Sequence, residues 1–141
     1  MFTFDEIHPV NRVKVNLIQK LIIMETMLFS ELQTKHEAAW NEKDAIRRDE
    51  LLKNIYADDI KMYDRELTIE GLKAVSDFVG KLIAEDPAYK FSVVKPIDPL
   101  QNSARLYGKI ETSGGVLNSM DFFVIENGKV AHLYAFLEPA Q

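Results

Sequence analysis

Residues 40–64, WNEKDAIRRDELLKNIYADDIKMYD, decide the fold. They read as the end of one helix, a complete second helix and the first strand of a sheet. Asp44 is placed to cap the second helix, which is expected to run to about Tyr56. Ile46, Leu51, Leu52 and Ile55 would face inward, with Arg47, Arg48, Asp49 and Lys53 in solvent. In the strand, Ile60, Met62 and Asp64 share one face, and Asp59, Lys61 and Tyr63 share the other. An apolar face thus ends in a carboxylate. Either the strand runs out into water at Asp64, or the acid stands at the rim of an apolar hollow, as a ligand pocket requires.

Working outward toward the N-terminus, Val13, Leu17, Leu21, Met24, Leu28, Leu32 and Ala39 recur at helical spacing, which predicts a helix over about 11–41. Pro9 should keep it from reaching back into residues 1–10, which read as irregular. The apolar stripe from Leu17 to Phe29 is broader than one packed face needs. Residues 1–24 therefore read as a partly helical N-terminal extension, and 25–141 as a single domain.

Toward the C-terminus, residues 66–71 predict a short second strand. Gly71 opens a third helix through about Glu85, with Leu72, Val75, Phe78, Val79 and Leu82 inward, and Asp86-Pro87 ends it. Strands follow over 91–97, 103–112, 116–126 and 129–138. Ser113-Gly114-Gly115 and Asn127-Gly128 are hairpin turns. Helices gathered on one side of a bent antiparallel sheet make an α+β fold.

The last two strands are apolar on both faces. Leu117, Phe123 and Ile125 share a face with Ser119 and Asp121, while Val116, Met120, Phe122 and Val124 lie opposite. Leu133, Ala135 and Leu137 alternate with His132, Tyr134 and Phe136. A half-solvated sheet would alternate with polar residues, and the helices can cover only one side. The other side is expected to meet a second copy of the chain, centred on Met120, Phe122, Tyr134 and Phe136, unless the sheet curls over its own loops.

Composition removes several function classes. Seventeen basic against 22 acidic residues give a net charge of -5, which argues against nucleic acid and anionic membrane surfaces as partners. Without cysteine there is no disulfide or thiolate chemistry. His8, His36 and His132 lack metal-ligand spacing, so no metal is expected, and no phosphate loop or nucleophile elbow implies a cofactor. No apolar run is long enough to span a bilayer and no signal peptide is expected, which leaves the cytoplasm as the default compartment.

The order of elements, with Trp40…Asp44, Tyr56-Ala57-Asp58-Asp59, Tyr63-Asp64 and Glu126-Asn127-Gly128-Lys129-Val130, resembles the nuclear transport factor 2-like superfamily over residues 25–138. It looks most like the SnoaL-type polyketide cyclase and ketosteroid isomerase branches. The resemblance implies a cone-shaped α+β barrel, a strongly bent antiparallel sheet wrapped around three helices with an apolar cavity open at one end. It also implies dimers through the outer sheet face. It puts Asp64 at the general base, Asp121 at a second acidic position, Tyr56 at a supporting tyrosine and His36 where the isomerase has its main tyrosine donor. Arg65 stands where the family usually has proline. Trp40, Ile60, Met62, Phe78, Leu106, Ile110, Phe123 and Leu133 would line the cavity.

The residues themselves leave two readings open. A buried carboxylate must be paired, hydrogen-bonded or protonated. Asp64 could be a strand-end acid held by turn amides, and Asp121 a structural acid held by a backbone amide or by His36. His36, Tyr56 and Trp40 could all be satisfied core residues. The expectation is an acid/base enzyme of isomerase, cyclase or dehydratase type, without cofactor, acting on a small apolar carbonyl compound. The alternative is a non-catalytic binding protein for an apolar ligand in the same cavity.

Overall fold

Helix α1 spans Pro9–Ala39, α2 Ala45–Ile55 and α3 Leu72–Glu85 in a computed structural model that describes residues 9–141, with side-chain surroundings for all of these but 9–15 and 22–27. Residues 1–8, and the inward placing of Val13 and Met24, lie outside what is described. Pro9 is the first helical residue, where its missing N–H costs nothing. α1 is continuous through residue 24. Its packed face carries Phe29, Leu32, His36 and Ala39, with Trp40 just beyond its end, whereas Leu17, Ile18 and Leu21 are more than half exposed. None of the described helices is long and apolar enough to cross a membrane.

The strands are β1 Tyr56–Tyr63, β2 Thr68–Glu70, β3 Lys90–Val93, β4 Asp98–Leu100, β5 Ser103–Thr112, β6 Gly115–Glu126 and β7 Lys129–Pro139. They form one curved, unclosed seven-stranded sheet in the order β2-β1-β7-β6-β5-β3, with β4 pairing a separate part of β5. This is the expected cone-shaped α+β architecture. One pairing differs from the antiparallel expectation, because β1 runs parallel to β7. The strand expected over 91–97 stops at Val93, ahead of Pro96, which cannot donate to a ladder, and an unexpected short strand, β4, follows at Asp98–Leu100. The Asn127-Gly128 turn has positive φ at both residues (51° and 77°), the twist that suits a two-residue hairpin.

The concave face holds Ile60, Met62, Leu106, Phe123 and Leu133 against Leu32, Leu52, Ile55, Val75 and Val79. Two expectations for α2 fail. Ile46 is 73% exposed, and Arg48 is buried. Arg48 donates from Nε to Ser76 Oγ (3.1 Å) and from Nη1 to the Glu42 carbonyl (2.7 Å), tying α2 to α3. There is room for it because residue 80 is glycine. A Cβ there would stand 2.5 Å from Arg48 Nη2.

The convex face carries cross-strand pairs Met120–Phe136 and Phe122–Tyr134. Tyr63 stacks on Tyr134 with ring centroids 4.6 Å apart and accepts or donates a hydrogen bond at His132 Nδ1 (3.0 Å). Tyr134 and Phe136 remain 37% and 49% exposed.

Candidate functional site

Helical spacing puts Leu32, His36 and Trp40 on one face of α1, directed into the concave side of the sheet. β1 begins with Tyr56 instead of continuing the helix, which turns its phenol toward the same point. Asp121, on the inward face of β6, completes a buried chain. Trp40 Nε1–H donates to the Tyr56 oxygen (3.0 Å), Tyr56 lies 2.6 Å from His36 Nδ1, and His36 Nε2 lies 3.0 Å from Asp121 Oδ2. One proton arrangement satisfies every contact. Tyr56 accepts from Trp40 and donates to Nδ1, and the neutral ring donates its Nε2–H to the carboxylate. Phe91 and Phe123 close the ring off edge-on, with centroids at 5.5 and 5.0 Å. His36 has no exposed surface, whereas Asp121 retains 7%. Trp40, at the other end of the chain, also retains 7%, and Asp121 Oδ1 makes no hydrogen bond to a described residue.

Burial pushes the Tyr56 phenol well above its ordinary pKa of 10.0, and the Asp121 charge adds to this. Burial and the Asp121 charge also raise Tyr89. Both groups hold their protons more tightly folded than unfolded. The stability this gives is complete below about pH 10 and is lost as pH rises through the folded values, because the unfolded chain releases protons that the folded chain keeps. Each phenol is expected to contribute a slope of about 1.4 kcal/mol per pH unit there. Urea titrations between pH 9 and 12 should show a shallower decline for Tyr89→Phe than for the unsubstituted protein. Equal slopes would remove Tyr89 from this account.

Asp64 follows β1 on the same face as Ile60 and Met62, as the strand period requires. Its Oδ1 accepts from the amides of Glu66 (2.8 Å) and Leu67 (2.6 Å), so it organises the turn into β2. Tyr63 pairs with Tyr134, and Ala135 pairs with Asp121, so Asp64 and Asp121 flank Ala135 on one sheet face. Two strand spacings put them about 10 Å apart. Asp64, Arg65, Glu66, Ala135 and Leu137 line a hollow of about 130 Å³. Asp64 is therefore near Asp121 but outside the buried chain that joins His36, Tyr56 and Trp40 to it.

The expected apolar lining divides in two. Ile60, Leu106, Phe123 and Leu133 have no exposed surface and Met62 only 2%, so they fill the base of the cone as packed core and do not border a space that admits water. Trp40, Phe78 and Ile110 retain some surface. Farther along the concave face Ser119 and Asp121 are buried, and Ala135 and Leu137 border the hollow beside Asp64. A wider cleft of about 740 Å³ lies between α2 and the start of α3, walled mostly by charged residues such as Asp49, Lys53, Asp58 and Asp77.

Two buried hydroxyls were not expected from the sequence. Among the described residues, the Tyr89 hydroxyl and Ser119 Oγ are buried without a hydrogen-bond partner. Ser119 could have been found from its two-residue offset from Asp121. Tyr89 shares the parity of Phe91 but precedes β3, where strand periodicity gives no signal.

No protein-family model matches the sequence, and no curated relative matches it. Solved structures do. A candidate isomerase of the SnoaL-like family from Agrobacterium tumefaciens C58 superposes with a TM-score of 0.71 at 22% identity, over 79% of this chain and 98% of that one. An NTF2-like protein of unknown function from Burkholderia xenovorans gives 0.69 at 18% identity, over 84% and 88%. A protein with a ketosteroid isomerase-like fold from Catenulispora acidiphila, in complex with trimethylamine, gives 0.62 at 12%, over 74% and 83%. The fold is that of the NTF2-like proteins, in the form shared by SnoaL-like and ketosteroid isomerase-like chains.

Proposed function

We propose that this chain is an acid/base catalyst for a small, largely apolar ketone, of isomerase, cyclase or dehydratase type, with Asp121 as the proton acceptor. The observation that carries this reading is the buried chain from Trp40 through Tyr56 and His36 to one oxygen of Asp121. Such a chain fixes a carboxylate in one orientation and leaves its other oxygen at the edge of an apolar surface. A base held in this way can take an acidic C–H proton from a substrate and return it elsewhere. His36 acts as a positioning residue, since it has no surface through which to touch substrate. Asp64, the base that the resemblance implies, already has one oxygen engaged by two amides, and its role here is to wall the open end.

The test is proton exchange in deuterated buffer, followed by NMR, with 2-tetralone and 1-indanone as probes. The protein should accelerate loss of their α-protons. Asp121→Asn should slow this by about a hundredfold, the usual scale for a general base, while affinity changes little. The engagement of Asp64 by turn amides favours a second reading, a binding protein with a single free acid. Tight binding of the ketones without any exchange would select that reading.

The convex face supports self-association. Four strands about 4.8 Å apart and some 35 Å long present on the order of 700 Å², close to the roughly 800 Å² each partner gives to a stable interface. Its centre holds Met120, Phe122, Tyr134 and Phe136, and Lys95 and Arg105 lie over the Tyr107 ring, with Lys95 Nζ 4.2 Å from its centroid. The occupant proposed for this face is a second copy of the chain.

A further inference from the structure

We infer that the N-terminal arm of α1, residues 9–24, docks in the cleft between α2 and α3 of a second copy of the chain. Asn16 to Leu21 form more than one full helical turn, and every residue of that run is exposed. The helix there stands clear of its own domain on all sides. Leu17, Ile18 and Leu21 are 56%, 55% and 59% exposed. A helix of this length is marginal in water by itself, and burial of an apolar face against something else is what normally holds it.

The charge of the arm selects its partner. Between Pro9 and Met24 the sequence has Arg12, Lys14 and Lys20 and no acid, in a chain whose net charge is -5. The complementary surface is the cleft of about 740 Å³ between α2 and α3. Acids, Glu50, Asp58 and Glu70 among them, outnumber lysines in its wall, and Gly71, Leu72 and Ala74 complete it. Of its lysines, Lys73 is already paired with Asp77 (3.0 Å). Ile46, which is 73% exposed, lies one turn before Asp49 and Glu50 on the same side of α2. A basic, apolar helix thus finds an acidic cleft with apolar residues in it and beside it, the helix-in-groove mode of recognition.

Other occupants suit these surfaces less well. α1 is continuous from Pro9 to Ala39, so the arm cannot turn back into the cleft of its own domain. Two arms laid together would set cations against cations with no acid between them. An anionic bilayer would attract the arm and repel the acidic remainder of the chain. A second copy supplies the acidic surface and needs no further component, and reciprocal exchange of two arms closes a pair about a two-fold axis. This contact is separate from the convex sheet face. Exposed ion pairs each add little, so it is weak enough to be read by covalent trapping and not by mass.

The chain has no cysteine, so a single introduced thiol is unique. Full-length chains carrying Ile18→Cys are mixed with isotope-labelled chains carrying Ile46→Cys, treated with a short bismaleimide and weighed by mass spectrometry. Both also carry Phe122→Glu, which keeps the convex face out of the result. The mixed product should dominate over either self-linked product. Arg12→Glu, Lys14→Glu and Lys20→Glu together in the first chain should lower its yield about tenfold. So should about 1 M salt, which screens charges beyond about 3 Å. Adding Glu50→Lys, Asp58→Lys and Glu70→Lys, all at exposed positions, to the second chain should restore the yield of the reversed arm. Self-linked Ile18→Cys chains in place of the mixed product overturn the inference and pair the arm with another arm. Absence of the mixed product also overturns it, and sedimentation of the unsubstituted chain with vesicles of phosphatidylcholine and phosphatidylserine would then assign the arm to a bilayer. A mixed product that neither charge reversal nor salt lowers overturns it as well, since chance collision would give the same.

Discussion

His36→Ala is expected to lose about 3–5 kcal/mol of folding stability, the range seen when one partner of a buried polar pair is removed or a large core side chain is truncated. Three effects act together. The ring is fully buried among Trp40, Tyr56, Phe91 and Phe123, so its removal leaves a void. Asp121 Oδ2 loses the N–H that it accepts. The Tyr56 proton loses its acceptor, because the phenol oxygen is already taken by Trp40. His36→Phe separates these contributions, since it fills most of the void and restores neither hydrogen bond. It should recover less than half of the loss. The measurement is the urea midpoint at constant m-value. A loss below 1 kcal/mol for the alanine variant would show that the hydrogen-bonded chain contributes little to the fold.

Phe122→Glu is expected to convert a dimer into a 16.2 kDa monomer in sedimentation equilibrium. A two-fold interface uses the same patch twice, so one substitution introduces two carboxylates near the axis. Each would be desolvated without a partner, and the like charges would repel. At several kcal/mol in total, association should weaken by a factor of a thousand or more. Phe122 lies on the convex face, away from the His36 cluster, so circular dichroism and the urea midpoint of the monomer should change little. If the unsubstituted protein sediments as a monomer, the self-association proposal is wrong from the start.

The elements set by local chemistry were readable in the sequence. β5, β6 and β7 follow from two-residue alternation and from Asn127-Gly128, whose turn needs no information from elsewhere in the chain. α3 follows from its apolar spacing and from Gly71. What distant residues impose was not readable. Arg48 looked like a solvated helix residue, and it is buried because Gly80, on another helix, leaves room for its guanidinium. β4 escaped notice because Asp98 and Pro99 are poor strand formers, and it exists only by pairing with β5. The turn amides of Glu66 and Leu67 that hold Asp64 are local, and they were one of the two readings its position left open. His36 and Asp121 were marked by resemblance, and their pairing was one of the options their chemistry allowed. The linear order of Trp40, Tyr56, His36 and Asp121 is a tertiary fact. Tyr89 and Ser119 went unmarked because sequence cannot show that a buried hydroxyl lacks a partner among the described residues.

The parallel pairing of β1 with β7 makes the fold wait for its own end. β1 lies between a three-residue strand and the last strand of the sheet, so until β7 exists it has almost no ladder to join. On the ribosome, the chain up to Glu126, about nine-tenths of its length, can form helices and the β5–β6 hairpin while β1 holds out an unpaired apolar edge. Contacts so far apart in sequence slow folding, and an exposed edge invites aggregation. A stalled or C-terminally clipped chain is therefore a worse hazard to its cell than one shortened by a similar length at the start of α1.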